Sequence, residues 1–281
     1  LLSFSETKIF CADFNGSDGN SSVDLSNTDL PSGKLLAYQI PIREQIGAPI
    51  LDILRRGLKS AIKEEADIVI LDMDTPGGEL GVTLEIMEEI IENLEKFQGK
   101  IITYVNDEAI SAGAYIAIAS SEIAFSPKSQ IGAAEAVSGG GGNIDSSMKR
   151  KVNSYLKAKI RNYAGEHRYR SQVMSAMMDA NESLIIEGDT LKTESGSLIK
   201  KPGELLTLTG REACEKYGDP PAPLLGFGVY DSVEEILDDR YGQNNWVLKK
   251  LEINWAEEAG LWLNGIAPII LSIGLVCIFV E

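Results

Sequence analysis

Short apolar runs alternate with amphipathic stretches along most of the chain after residue 34. Continuous apolar runs predict buried strands, whereas apolar residues three or four positions apart predict helices. Strands are predicted at 35–42, 68–71, 100–106, 122–126 and 229–231. Helices are predicted at 48–63, 83–97, 111–120, 148–164, 170–181, 209–217 and 233–237. Strands and helices that alternate at this pitch predict crossover connections and therefore an α/β domain with a parallel core sheet.

The remaining segments have different compositions and set the predicted domain limits. Residues 1–34 are mostly polar and predict a flexible arm, and the four glycines at 139–142 predict a mobile loop. Within a domain at 35–240, the turn residues of 183–208 predict an antiparallel hairpin insertion. Thr209 and Glu212 are spaced as a capping box, so they predict a helix start. Residues 241–260 are expected to form a linker.

The last twenty residues before the C-terminal Glu281 are uncharged. The segment 261–280 is long enough for one bilayer crossing, and Trp255 and Trp262 suit the membrane interface. We therefore expect a transmembrane helix that begins a membrane domain cut short in this sequence. A buried core helix is the alternative.

Charge and cysteine content exclude several classes of protein. The net charge of −16 over 281 residues argues against nucleic-acid binding, which needs a basic surface. The three cysteines are scattered, so their spacing matches neither a disulfide framework nor a metal site. No metal, nucleotide or other cofactor is expected.

Two glycine-linked segments suggest chemistry. The run Asp74-Thr75-Pro76-Gly77-Gly78 ends a predicted strand, and such a turn can point backbone N–H groups at an anion. An ordinary strand-to-helix turn is the alternative. Ser111 precedes a predicted helix, where it could be an N-cap or a nucleophile beside the amide of Ala112.

A nucleophilic serine needs a base, and this chain has one histidine. His167 lies in a charged stretch and is expected to be solvated. A desolvated, neutral lysine is the other known base for a serine nucleophile. Spacing alone does not choose among the lysines near the predicted basic helix, which are Lys128, Lys149, Lys151, Lys157 and Lys159.

Three segments together carry a family resemblance. They are ILDMDTPGGEL, YVNDEAISAGAYIAIASSEIAFSPKSQIGAA and LTLTGREACEKYG…GVYDSVEEIL, and the match runs in order over about 35–237. This part of the chain resembles the membrane-bound ClpP-class serine proteases of the NfeD type and, more distantly, bacterial signal peptide peptidases A. The resemblance implies a ClpP/crotonase-like α/β fold, membrane localisation and a protease domain outside the cytoplasm.

The resemblance also implies roles for individual residues. The family works by a Ser–Lys dyad, which maps onto Ser111 and onto Lys151, 151 − 111 = 40 residues later. The oxyanion hole maps onto the amides of Gly78 and Ala112, with Gly77 supporting the turn. Implied substrates are apolar peptide segments, with a stomatin-like membrane protein as substrate or partner, cleaved by a homo-oligomeric assembly.

Two other functions fit the same pattern. A catalytically silent scaffold of ClpP fold could bind stomatin-like membrane proteins. A crotonase-type acyl-CoA enzyme would share the oxyanion geometry, although the predicted membrane helix and the Ser/Lys spacing count against it.

Overall fold

The structure is a computed structural model that describes residues 33–97, 99–137, 145–165, 167–192 and 198–280. The predicted arm, apart from its last two residues, and the predicted loop at 139–142 lie outside the described residues. The described part has twelve strands and eight helices. The strands are β1 (Leu35–Arg43), β2 (Ile68–Thr75), β3 (Lys100–Ile110), β4 (Glu122–Phe125), β5 (Gln130–Gly132), β6 (Ile185–Ile186), β7 (Asp189–Thr190), β8 (Thr207–Thr209), β9 (Lys216–Tyr217), β10 (Ala222–Pro223), β11 (Gly228–Val229) and β12 (Trp246–Lys250). The helices are α1 (Ala48–Lys63), α2 (Leu80–Lys96), α3 (Ala112–Ala119), α4 (Ser146–Tyr163), α5 (Arg170–Met178), α6 (Gly210–Cys214), α7 (Val233–Tyr241) and α8 (Trp255–Val280).

One sheet organises the domain. Its strands run in the order β11-β4-β3-β2-β1-β12, and every neighbouring pair along this path is parallel. The strand β5 pairs in parallel with the end of β3, and β8 joins β5 antiparallel. The sequence-based expectation of a parallel core with crossover helices is therefore confirmed.

The two faces of the sheet are covered differently. The larger core lies on the face covered by α1, α2 and α3, and all eight residues of α3 are buried. On the other face, α7 packs on a smaller cluster that includes Ile70, Ile102 and Ile236. Strands β2 and β3 are thus covered on both faces, which explains why they are continuous apolar runs.

The predicted elements exist, but several bounds and connections differ. The helix predicted at 209–217 ends at Cys214, although its capping box is formed as expected. Inside 183–208, β6 and β7 form a two-residue antiparallel ladder. Inside the expected linker, β12 pairs in parallel with β1 and extends the sheet.

The C-terminal helix α8 covers 26 residues, including the segment predicted as a membrane span. Among the residues that the structure describes, no helix is both long and apolar enough to be assigned as a bilayer crossing. The predicted membrane span is therefore not confirmed.

Candidate active site

The glycine turn begins where β2 ends and is held by a buried threonine. The Thr75 hydroxyl donates a hydrogen bond to the Glu44 carbonyl oxygen at 2.5 Å and accepts one from the Gly77 N–H at 3.2 Å. Thr75 is fully buried, so these bonds form out of contact with water. They tie the start of the turn to the segment after β1.

Both glycines of the turn are required by close contacts. Gly77 has φ = +110°, and a Cβ on it would lie 2.6 Å from the Cβ of Ser111. A Cβ on Gly78 would lie 2.1 Å from the carbonyl oxygen of Ile46. Real Cβ atoms do not approach other heavy atoms so closely, hence any larger residue would displace the turn.

The amide of Gly78 points away from the strand that pairs with it. Ile46 donates its N–H to the Gly77 carbonyl at 2.8 Å and accepts the Glu79 N–H at 3.0 Å. In a parallel bridge, one residue bonds to the two residues on either side of its partner. The N–H and C=O of the partner itself, here Gly78, therefore point to the opposite side. Within the described part of the chain, the Gly78 N–H has no acceptor, which leaves it available to a ligand.

Ser111 lies in the tight turn between β3 and α3. Its backbone has φ = 53° and ψ = −110°, a conformation that residues other than glycine seldom adopt. The turn is held by the Ser111 N–H, which donates to the Gly132 carbonyl at 3.0 Å. Strain of this kind is found where a side chain must be held in one direction for function.

The Ser111 side chain makes no capping hydrogen bond to α3. Ser111 thus occupies the N-cap position of α3, but its side chain does not form the capping bond that one of the two alternatives requires. Ala112 is the first residue of α3 and is buried. Its N–H belongs to the helix N-terminus, where backbone donors lack intrahelical partners and the helix dipole favours negative charge.

Ser111, Ala112 and Gly78 line one pocket of about 550 Å³. The rest of its wall consists of Gln45, Glu79, Leu80, Thr83, Tyr115, Ala134, Glu135, Ala136 and Val137. The Tyr115 hydroxyl donates to the Ala134 carbonyl at 3.0 Å, and burial followed by the charge of Glu135 raises its pKa. Tyr115 is therefore a neutral structural member of the wall.

The lysines proposed as bases differ in their partners. Lys149 forms an ion pair with Glu135 at 2.8 Å, at the edge of the pocket. Lys157 pairs with Asp179 and Glu182. Lys159 pairs with Glu88, and the hydrogen bonds that its ammonium donates to Glu88 and Tyr163 raise its pKa. Each of these three ammonium groups thus has a carboxylate partner.

Lys151 is exposed and does not line the pocket. It makes no hydrogen bond or ion pair with any of the described residues. The structure thus brings Ser111, Ala112, Gly77 and Gly78 together, whereas Lys151 lies on the nearby helix α4, outside the pocket wall.

His167 is at the far end of α3 from Ser111. Its Nε2 lies 2.9 Å from the carbonyl oxygen of Ser121, and α3 spans about 12 Å from one end to the other. Burial and the charge of Arg170 lower its pKa, so the imidazole is less easily protonated than usual. The histidine therefore cannot serve Ser111 as a base.

Arg170 is a buried residue of this region that sequence patterns do not reveal. Its guanidinium is 1% exposed and donates to the carbonyls of Ile118, Ser120 and Ser121, at the end of α3. Nothing in the charged run around it distinguishes Arg170 from its solvated neighbours.

Among the described residues, no group of three or more acidic, His or Cys side chains is placed to hold a metal ion.

Similarity to known proteins extends over most of the domain. Residues 36–237 match the family described as NfeD1b, N-terminal domain. Membrane protein NfeD1b of Bacillus subtilis (strain 168) is 28% identical over 252 residues, which cover 88% of this chain and 51% of that protein. Membrane-bound protease PH1510 of Pyrococcus horikoshii is 29% identical over 160 residues, which cover 55% of this chain and 35% of that protein. The chain therefore spans about half the length, or less, of these curated relatives.

Solved structures show the same fold. A lysine-to-alanine mutant of the 1510-N membrane-bound stomatin-specific protease, in complex with a substrate peptide, has a TM-score of 0.62 and 20% identity and covers 83% of this chain and 99% of its own. A serine-to-alanine mutant of the same protease has a TM-score of 0.58 and 22% identity and covers 79% and 99%. The shared architecture is a ClpP-like α/β fold with a mainly parallel sheet.

Proposed function

The chain belongs to the family of NfeD1b N-terminal domains, and from this premise we propose that it is a membrane-associated serine endopeptidase. The observation that supports the proposal most strongly is the strained turn at Ser111, whose side chain caps nothing and shares a pocket with two free backbone donors. A protease role is also in keeping with the relative named as a membrane-bound protease.

In the proposed reaction, Ser111 is the nucleophile and Lys151 the general base. The neutral amine of Lys151 takes the proton from the Ser111 Oγ as this oxygen bonds to the scissile carbonyl carbon. The resulting ammonium returns the proton to the leaving amine when the peptide C–N bond breaks. Water activated by the same amine then hydrolyses the acyl-enzyme and regenerates Ser111.

The amides of Gly78 and Ala112 are the proposed oxyanion hole. Both lie at the pocket that contains Ser111, and one of them adds the favourable dipole of α3. The negative oxygen of the tetrahedral intermediate would accept both N–H groups. Loss of one such donor typically slows catalysis by about 10²–10³-fold.

Two observations support Lys151 as the base. Lys149, Lys157 and Lys159 on the same helix are held in ion pairs with carboxylates, whereas Lys151 has no such partner among the described residues. In addition, Ser111 and Lys151 are 40 residues apart (151 − 111). The spacing between the serine and the lysine that are replaced in the two 1510-N structures is one residue longer. Movement of α4 toward the pocket on substrate binding is part of the proposal.

The proposed substrates are apolar peptide segments, including those of a stomatin-like membrane protein, cleaved by a homo-oligomer. The 1510-N structures are those of a stomatin-specific protease, one of them in complex with a substrate peptide. Leu80 and Val137 give the pocket wall an apolar part that suits such a peptide. Membrane association is proposed from the names of both curated relatives and from exposed apolar residues of α8 such as Ile269 and Ile273. We place the α/β domain outside the cytoplasm.

The rival function is a scaffold of the same fold without catalysis. It is favoured by the fact that the relative matched over most of this chain is named only as a membrane protein. A covalent serine-directed fluorophosphonate distinguishes the two functions, because a silent scaffold has no activated serine. Labelling that maps to Ser111 supports the enzyme, and no labelling of a folded protein supports the scaffold.

The dyad is tested by hydrolysis of a fluorogenic apolar peptide. Ser111→Ala and Lys151→Met should each lower kcat/KM by at least about 10³-fold. Lys149→Met is the matched control on the same helix and should retain activity within a few-fold. If Lys149→Met inactivates the protein while Lys151→Met does not, the assignment of the base is wrong.

A further inference from the structure

One face of α8 is docked on the start of α1. Arg56 of α1 donates from Nε and Nη2 to both carboxylate oxygens of Glu257, at 2.6 and 2.7 Å. One turn later, Gly260 lies against Pro49, where an added Cβ would be 3.4 Å from the proline ring. One turn further, Asn264 contacts the segment before α1. Residues spaced by three and four share one helix face, so this stripe sets the position of α8.

Asn264 is the contact of this stripe that lies nearest the pocket. Its Nδ2 donates a hydrogen bond to the carbonyl oxygen of Gln45 at 3.3 Å. A Cβ added to Gly47 would lie 2.9 Å from both terminal atoms of the Asn264 amide, so this amide is seated directly on the backbone. Gln45 itself lines the pocket that contains Ser111.

Two peptide units connect Asn264 to the proposed oxyanion hole. The Gln45 carbonyl that accepts from Asn264 belongs to the same peptide plane as the Ile46 N–H. That N–H donates to the Gly77 carbonyl at 2.8 Å, and the Gly77 carbonyl shares its peptide plane with the Gly78 N–H. Because a peptide unit is planar, fixing one end fixes the direction of the other. Each hydrogen bond in such a chain also polarises the next.

We propose that Asn264 is a positioning residue for the oxyanion hole, acting through the peptide planes 45–46 and 77–78 on the direction of the Gly78 N–H. The proposal rests on the proposed function for its catalytic consequence. It makes the C-terminal helix part of the active-site machinery. A bilayer or partner that shifts α8 would act on the Gly78 N–H without touching Ser111.

Two variants break the link at different points, and a third is the control. Asn264→Leu keeps the branched outline of the side chain but removes the donor. Gly47→Ala leaves α8 unchanged and displaces the Asn264 amide, because the new Cβ would take its space. Leu263→Ala is the matched control, since this neighbour is 53% exposed and lies off the docked stripe. All three are made in the full 281-residue chain.

The first measurement is amide hydrogen exchange at Ile46 and Glu79, which bracket the turn. In Asn264→Leu and Gly47→Ala both amides should exchange about tenfold faster than in the unmodified chain, while Leu263→Ala leaves them unchanged. The second is hydrolysis of the apolar peptide, for which kcat should fall about tenfold with KM within twofold. A misdirected Gly78 N–H should slow catalysis less than the complete loss of this donor. Because the N–H binds only the oxyanion, its misdirection should lower kcat and leave KM nearly unchanged.

Two results would overturn the inference: unchanged exchange at Ile46 and Glu79 in Asn264→Leu, or accelerated exchange with kcat unchanged. Failure of the proposed function is a separate outcome. If the unmodified chain neither labels with fluorophosphonate nor cleaves the peptide, the protease assignment fails, and the exchange measurement alone decides whether Asn264 orders the turn.

Discussion

The backbone of Gly77 lies against the side chain of Ser111, so closely that a Cβ on the glycine would be 2.6 Å from the serine Cβ. The two residues follow the ends of neighbouring parallel strands, β2 and β3, whose carboxyl ends meet at one edge of the sheet. Such an edge is where α/β sheets bind their ligands. The contact therefore aligns the serine with the glycine turn, which follows from the topology of the sheet.

Gly77→Ala should damage both stability and activity. The residue has φ = +110°, and its new Cβ would clash with Ser111. The expected loss in the free energy of unfolding is about 3 kcal/mol or more, measured by urea denaturation. Gly81→Ala is the control, because nothing lies within 4 Å of an added Cβ and the site is helical. It should stabilise the protein by up to about 1 kcal/mol. Equal stability of the two variants would contradict the strained geometry of the turn.

Arg170→Met should destabilise the domain by about 3 kcal/mol. The substitution removes the hydrogen bonds that the guanidinium donates to three carbonyl groups at the end of α3. Desolvation lowers the pKa of Arg170 to about 10, so the guanidinium is still charged at neutral pH and offsets the negative end of the helix. Thermal and urea unfolding measure the effect. Arg161→Met, at an exposed position of α4, should change stability by less than about 0.5 kcal/mol. An Arg170→Met protein as stable as this control would show that the buried guanidinium has no structural role.

Cys214 and Cys277 should differ in alkylation. Burial raises the pKa of the Cys214 thiol to about 12, so only about one molecule in 10⁴ carries the reactive thiolate at pH 8. Cys277 is exposed on α8. Iodoacetamide at pH 8 should therefore modify Cys277 within minutes and leave Cys214 intact until urea unfolds the domain. Peptide mass spectrometry identifies the modified positions, and rapid labelling of Cys214 in the folded protein would place it outside the core.

The central architecture was predictable because its signal is local. The apolar runs of β2 and β3 and the apolar spacing of α1 report burial directly, and the bounds of α1 agree with the prediction of 48–63. The grouping of Gly77, Gly78 and Ser111 was implied by the family resemblance, and the adjacency of the parallel strands β2 and β3 explains it. By contrast, β12 contains two lysines and pairs only at the sheet edge with β1, about 200 residues earlier in the chain. The strand β12 is stabilised by pairing with β1, which is too distant in the sequence for a local pattern to reveal.

The supporting residues of the site were not predictable for the same reason. Arg170 satisfies carbonyls about 50 residues earlier, and Asn264 bonds to a carbonyl 219 residues earlier. Both are single polar residues without a local pattern. The position of Lys151 relative to Ser111 depends on how α4 follows the segment 138–144, which lies outside the described residues. The serine half of the proposed dyad therefore lies at the end of the sheet and lines the pocket, whereas the lysine half lies outside the pocket wall.

The ion pair between Glu257 and Arg56 should make the docking of α8 dependent on pH. The hydrogen bonds from Arg56 lower the pKa of Glu257 below its usual value. A carboxyl group with a lowered folded-state pKa contributes stability above the pKa of the unfolded state, about 4.3, and loses it as the pH falls through the folded-state value. Glu257→Gln should thus be less stable than the unmodified chain at pH 7, by about 1–2 kcal/mol for a partly buried bidentate pair, and the difference should shrink progressively as the pH falls from about 5 to 4 and below.

Glu258→Gln is the matched control, because this neighbouring carboxylate is exposed. Urea denaturation of the three proteins at pH 7, 5 and 4 gives the differences, and hydrogen exchange at the start of α8 reports whether the helix end loosens. If the Glu257→Gln deficit stayed constant down to pH 4, its cause would be altered packing and not the lost charge. If Glu258→Gln showed the same deficit, the charge at the start of α8, and not the pair with Arg56, would stabilise the helix.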